Sequence, residues 1–343
     1  MKSDSILTCP LCSENAVLKR EDFPGYQEPD TFGIYHCPGC ETAFSHPKVN
    51  TSALYEHIYR NGERVPGYGR YWTYALDVRR LSDPLQYLCD KEDTYWSVRE
   101  ALSKIVKDKQ SAKIAEVGSG LGYLTYSLNK SGYHVTGLDV SRTAVENATL
   151  NFGNYFVCDD IKDFAKLNSE KYDIVIMTEV IEHIEDPVGF LNIVKSLLKT
   201  GGSIIVTTPN RSFFSDDIIW ATELPPVHLW WFSEKTLLYI AAKIKMSAYM
   251  VDFSEYFKSR FNAVNMNTLN DRKLYKPFLD ADGKLILQNT DQATNHLSVL
   301  NSLLSPIPVL KKNLIKIRSF FNRRIPFCDK RGTTLTVILT CTE

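Results

Sequence analysis

Residues 113–122 read KIAEVGSGLG, an apolar strand that runs directly into three glycines at alternate positions, Gly118, Gly120 and Gly122. A helical pattern follows, then a second strand, HVTGLDV, with Asp139 at its end. Strand, glycine turn, helix and strand ending in an acid describe a parallel sheet with a nucleotide-type ligand at its first switch point. Glycine permits positive φ and lets a ligand lie against bare backbone. The helix that follows leaves its first N–H groups unpaired, and a carboxylate ending the second strand can take both hydroxyls of a ribose. The spacing then separates ligands. The dinucleotide fingerprint is G-x-G-x-x-G, its third Gly packing helix on strand. Here the run is G-x-G-x-G followed by Tyr123 and Leu124, and Glu116 precedes the first Gly by two. A pyrophosphate would be poorly served by Glu116, whereas a cationic ligand with an amino group would be well served.

The surrounding pattern alternates. Strands are expected at 113–118, 134–139, 155–158, 172–178 and 202–208, with helices at 121–131, 142–151, 187–199 and 233–245. Short turns between alternating strands and helices imply a parallel sheet covered on both faces. Met246–Tyr256 and Thr333–Cys341 read as two more strands. Between them, 257–331 is too long for a plain loop. Its part 306–331 carries eight Lys or Arg against one acid, Asp329. That stretch is a solvated face, a lid over an anionic acceptor, or a foot on a membrane surface or RNA.

These motifs resemble the class I S-adenosylmethionine-dependent methyltransferases. The family's first motif, an acid, any residue, then G-x-G-x-G, fits Glu116–Gly122. Its second-strand acid falls on Asp139, and its acid after the third strand on Asp160 in YFVCDDI, with Asp159 the alternative. YDIVIMTEVIEHIEDP, 172–187, is similar to the version in ubiquinone- and sugar-type small-molecule methyltransferases. The resemblance covers about 95–256 plus the last strand. It implies an α/β fold: a Rossmann-like seven-stranded sheet with its seventh strand antiparallel, and a helical insertion before that strand. It implies S-adenosylmethionine as cofactor, held by Glu116, Gly118, Ser119, Gly120, Gly122, Asp139 and Val140. Asp160 and Ile161 would border the adenine, and Thr178, Glu179 and Val180 the methionine end.

Two C-P-x-C knuckles, Cys9–Cys12 and Cys37–Cys40, stand 24 residues apart. Each aims two thiolates at one point, and together they supply the four soft ligands of a tetrahedral, structural zinc. No βαβ pattern surrounds either pair, which argues against a redox role. So small a module cannot build its own core, so metal would supply much of its folding energy. The expected organisation is a zinc module at 1–48 and an aromatic-rich helical cap at 49–110. A catalytic domain at 111–256 and 332–343 and an insertion at 257–331 complete it. In the cap, GYGRYW, 67–72, is the part expected nearest a ligand; the other aromatics are expected to pack. Cys158 and Cys341 lie in expected strands and read as buried small apolar residues.

The chain is ordinary in apolar (44%) and charged (23%) content, and its net charge is zero. No global field therefore attracts nucleic acid. The opening MKSDS leads into no apolar run, so the cytoplasm is the expected compartment. Methyl transfer from a sulfonium is an in-line displacement that needs a positioned acceptor, and for a hydroxyl acceptor a base. Of seven histidines, His183 in EVIEHIEDP and His228 in PPVHLWWFSEKT fall where acceptors bind in this fold. Each is either a base or a structural anchor. Pro225–Thr236 resembles a loop of sugar methyltransferases, including C-methyltransferases with an N-terminal zinc module. In those enzymes a Glu precedes the equivalent of His228 and the pair serves as base. Val227 replaces that Glu, so O-methylation is favoured. Trp220, Trp230 and Trp231 either stack on an acceptor ring or dock the next helix. The expected partner is a small molecule, a sugar nucleotide or glycan precursor. The alternatives are an RNA methyltransferase and a non-catalytic cofactor-binding partner protein.

Overall fold

The computed structural model describes residues 7–49, 52–61, 68–213, 224–259, 277–286 and 330–341. The segment starts with a small antiparallel sheet, β1 (Leu7–Thr8), β2 (Asn15–Pro24), β3 (Thr31–His36) and β4 (Ala43–His46). The two cysteine knuckles fill its β1–β2 and β3–β4 turns and repeat one geometry. Cys9 N–H donates to the Glu14 carbonyl at 2.8 Å, and Cys37 N–H to that of Thr42 at 2.9 Å. Ser13 and Glu41 occupy the same left-handed position, at φ 65 and 60.

Four helices follow: α1 (Ser52–Asn61), α2 (Gly69–Asp77), α3 (Pro84–Lys91) and α4 (Asp93–Ile105). Next come β5 (Lys113–Val117), α5 (Tyr123–Lys130), β6 (His134–Asp139), α6 (Arg142–Phe152), β7 (Phe156–Cys158) and α7 (Ile161–Asn168). After these stand β8 (Tyr172–Thr178), α8 (Pro187–Ser196), β9 (Leu198–Pro209), β10 (Trp230–Trp231) and α9 (Glu234–Lys243). The described chain closes with β11 (Met246–Met250), α10 (Ser254–Ser259) and β12 (Thr334–Cys341). Seven strands form one sheet in the order β11-β12-β9-β8-β5-β6-β7, parallel except for β12, which runs antiparallel to both neighbours.

The central strands are apolar on both faces, as a parallel sheet between helix layers requires. Along β8, Val175 and Met177 join one core with α7, α8 and α9, while Ile174 and Ile176 join the other with α3, α4 and α5. That alternation is the period of two of a strand. Helix starts are marked by side chains: Ser141 accepts from Ala144 N–H at 3.2 Å, and Asp186 from Gly189 N–H at 3.0 Å with Pro187 opening α8.

The structure departs from the sequence reading in several places. α7, on IKDFAKLN, was not expected. The strand begun at Met246 ends at Met250, because Ser254 opens α10. Cys158 is exposed and Cys341 half-buried, not buried as expected; Cys158 ends β7, the edge strand, which no strand among the described residues pairs on its outer side. β10 belongs to the small sheet, paired antiparallel with β4. Of the insertion, 257–259, 277–286 and 330–331 are described: Phe278 and Leu279 N–H both donate to the Tyr26 carbonyl, at 2.8 and 3.0 Å. Trp220, Cys328, His296 and the basic stretch 306–329 lie outside the described residues. No helix among the described residues is long and apolar enough to cross a membrane.

Candidate functional site

The glycine turn lies at the carboxyl end of β5 and folds back on the end of β6. Gly118 and Ser119 N–H both donate to the Leu138 carbonyl, at 2.8 and 3.0 Å. All three glycines have positive φ. A side chain would not fit: a Cβ on Gly118 would stand 2.4 Å from Val180, and one on Gly122 2.5 Å from the Phe156 ring. Asp139 is 6% exposed and accepts from Gly120 N–H at 2.8 Å and Ser141 N–H at 2.9 Å. Two bonds leave half of a carboxylate's acceptor capacity open. Burial raises its pKa despite them. Glu116 is buried beneath the turn, accepts the hydroxyl of Thr125, and is pushed up to about 8 by burial. The Ser119 hydroxyl is buried with no hydrogen-bond partner among the described residues. Val140 is exposed and Ile161 buried. Asp160 is exposed and caps α7, accepting from Lys162 N–H at 2.8 Å, while Asp159 accepts from Asp160 N–H at 2.9 Å.

Across the sheet edge, β8 ends at Thr178, and Glu179 and Val180 follow it, all three half-buried. Glu179 holds a left-handed backbone at φ 54. Its carboxylate accepts from the Thr207 hydroxyl at 3.1 Å, and its pKa is pushed up to about 8, chiefly by burial and next by the charge of Glu92. Strained backbone and a perturbed carboxyl at one residue are marks of functional sites. Facing it is an aromatic wall. Tyr71 stacks on Tyr123, the first residue of α5, with centroids 6.4 Å apart. Arg70 bridges the Tyr71 hydroxyl at 2.6 Å and Glu92 at 2.7 Å.

His183 and His228 meet edge to face with centroids 4.5 Å apart. The Val227 carbonyl lies 2.7 Å from His183 Nδ1, so that nitrogen carries the proton and Nε2 the lone pair. Burial lowers the pKa of His183 to about 4, and burial with the neighbouring His183 holds that of His228 well below the usual histidine value. Nδ1 of His228 is buried with no hydrogen-bond partner among the described residues. Glu182 is fully buried and accepts the Thr208 hydroxyl at 3.0 Å. Glu182, His183 and His228 each offer a ligand atom, all within 4.8 Å of one another. The group can hold a cation or move a proton. Trp230 and Trp231 are buried, Trp230 stacked on Phe232. Both are packed in the protein interior.

The four knuckle cysteines converge, with all ligand atoms within 4.8 Å. Cys9 and Cys40 sulfurs lie 3.7 Å apart and those of Cys12 and Cys37 3.3 Å apart. A tetrahedron with zinc–sulfur arms of about 2.3 Å has edges of about 3.8 Å, so the set fits zinc with minor adjustment.

Residues 91–244 match the family model described as "Methyltransferase domain". The matched stretch, under half of the chain, carries the likeness to methyltransferases. Among its relatives, a ubiquinone biosynthesis O-methyltransferase of Vibrio vulnificus (strain YJ016) is 34% identical over 108 residues, 30% of this chain and 46% of that protein. The mitochondrial ubiquinone biosynthesis O-methyltransferase of Dictyostelium discoideum is 30% identical over 152 residues, 38% of this chain and 45% of that protein. The chain thus spans about half the length of the curated relatives it matches. A SAM-dependent methyltransferase structure from Archaeoglobus fulgidus aligns at TM-score 0.42 and 14% identity, over 71% of this chain and 92% of that one.

Within the matched stretch, the structure brings together Glu116, the glycine turn and Asp139, and separately His183 with His228. It leaves Asp160 exposed. The sequence reading placed Glu179 at the methionine end and GYGRYW, 67–72, nearest a ligand, but did not foresee the perturbed Glu179 carboxyl or the stacking of Tyr71 on Tyr123. The tyrosine density of 55–96 carries no spacing that tells wall from core.

Proposed function

We infer that the protein transfers a methyl group from S-adenosylmethionine to a hydroxyl of a small-molecule acceptor. The observation that carries this is the buried Asp139, bonded to the glycine turn with acceptor capacity left for a ribose. Glu116, Gly118, Ser119, Gly120, Gly122, Asp139 and Val140 hold the donor, Asp160 and Ile161 border its adenine, and Thr178–Val180 its methionine end. The acceptor oxygen attacks the methyl carbon, the carbon–sulfur bond breaks with its electron pair on sulfur, and His228 or His183 takes the hydroxyl proton. Both imidazoles are held neutral by burial and so are free to accept it. The relatives are O-methyltransferases, which favours oxygen over carbon. The acceptor is a sugar nucleotide or glycan precursor. Support for that finer reading comes from the Pro225–Thr236 loop and the cysteine module, which holds structural zinc through Cys9, Cys12, Cys37 and Cys40.

The test is methyl incorporation from labelled donor across sugar nucleotides, catechols and RNA. Label in a sugar hydroxyl is the expected result. Label in a catechol would move the acceptor class, and label in RNA would overturn the small-molecule reading. Donor binding with no turnover on any acceptor would favour a non-catalytic role.

A further inference from the structure

The strand that carries the histidine loop belongs to the wrong sheet for a plain methyltransferase core. β10 pairs with β4 of the cysteine module, Trp230 opposite Phe44 and Trp231 opposite Ala43. β4 begins three residues after Cys40, so the second knuckle runs straight into the strand on which β10 is mounted. The pairing extends past the strand: Ser45 N–H donates to the Leu229 carbonyl at 3.0 Å. At the loop's two ends the module holds again, with Tyr26 N–H donating to the Pro225 carbonyl at 2.8 Å and the Thr236 hydroxyl to the Cys40 carbonyl at 2.8 Å.

The His183 segment is tied to the same mount, although it follows β8 of the large sheet. Val227 supplies the carbonyl that fixes the His183 ring. Leu229 N–H donates to the Glu182 carbonyl at 3.0 Å, and Trp230 Nε1 to that of Ile184 at 2.8 Å. Lys48, just beyond β4, donates to the Glu185 carbonyl at 2.7 Å. The donor turn, by contrast, is held by β6 through Leu138 and Asp139.

We propose that the cysteine module is the mount of the His183–His228 pair, so that filling the four-cysteine site with zinc orders the acceptor side of the centre and leaves the donor side unchanged. The ligand set fits zinc, and the knuckle it closes is continuous with β4. Loss of the metal therefore loosens β4, then β10, then both imidazoles. The acceptor-side meaning of the pair rests on the function proposed above; the mechanical coupling does not. Trp230 is a positioning residue in this scheme, because its indole N–H links β10 to the backbone beside His183.

The experiment uses the full chain, with zinc released by a thiol-reactive mercurial and chelator. Three readings are taken: imidazole resonances of His183 and His228 by long-range proton–nitrogen NMR, assigned with His→Gln variants; S-adenosylhomocysteine affinity by calorimetry; and turnover. Expected are shifted or broadened resonances for both histidines, donor affinity within about threefold of the zinc-loaded protein, and turnover down at least tenfold. Unchanged imidazole resonances after zinc release would overturn the proposal. So would a parallel loss of donor affinity, which would mean that the module merely keeps the chain folded. Trp230→Phe, which keeps the ring and removes the indole donor, is expected to retain zinc and donor affinity while shifting the His183 resonance. An unshifted His183 in that variant would remove Trp230 from the mount. If no sample binds S-adenosylhomocysteine while the imidazoles respond to zinc, the functional reading fails and the coupling stands.

Discussion

The Asp139 carboxylate accepts the backbone N–H of Gly120 at 2.8 Å, across nineteen residues of sequence. This bond joins the two halves of the donor motif into one object. It fixes the turn at its middle glycine, while the outer glycines are fixed by close approach to Val180 and Phe156. Gly122→Ala should therefore cost at least about 2 kcal/mol of stability, from left-handed strain plus a clash, and abolish donor binding. Gly132→Ala, at φ 88 but with open space around the added carbon, should cost only about 1 kcal/mol. Thermal denaturation with and without S-adenosylhomocysteine checks both.

Burial pushes Glu116 and Glu179 up to about 8. For acids raised above their unfolded pKa, the folded state binds more protons, so their contribution to stability is full below the unfolded value and is lost as pH rises through about 8. The thermal midpoint of ligand-free protein should decline from pH 6 to pH 9, and Glu116→Gln should flatten part of that decline. A donor ammonium beside Glu116 would favour its charged form. Donor binding at pH 7 should therefore release a proton, seen as a dependence of calorimetric heat on buffer ionisation enthalpy.

His228→Ala should lower kcat by roughly 10²–10⁴-fold, the usual contribution of a general base, with S-adenosylhomocysteine affinity unchanged. The lowered pKa values of both histidines put the acid limb of kcat below pH 6, since neutral imidazole is present above it. Loss of only a few-fold in turnover would make His228 an anchor, and His183→Ala would then be the variant to follow.

Metal analysis should find one zinc per chain, lost in Cys12→Ser together with a lower thermal midpoint. A second metal would point to Glu182, His183 and His228, whose ligand atoms also converge.

The sheet and the donor motif were legible because they are local: apolar runs, alternate glycines and a strand-ending acid carry their own geometry. α7 was missed because Asp160, read as an adenine contact, also caps the helix. Cys158 was misread because nothing local tells an edge strand from a central one. The pairing of β10 with β4 joins residues nearly two hundred positions apart, and two tryptophans in sequence read equally well as a ligand platform or as core. The Glu179 carboxyl gains its character from Glu92 and from burial, neither of which a motif records.

The central claim is that Asp139 and the glycine turn form a donor site, and calorimetry with S-adenosylhomocysteine tests it most directly. The wild-type chain, zinc-loaded, should bind saturably at one site, and Asp139→Ala should weaken binding by at least tenfold while remaining folded. Absence of saturable binding to the folded wild type, or equal affinity in Asp139→Ala, would contradict the account.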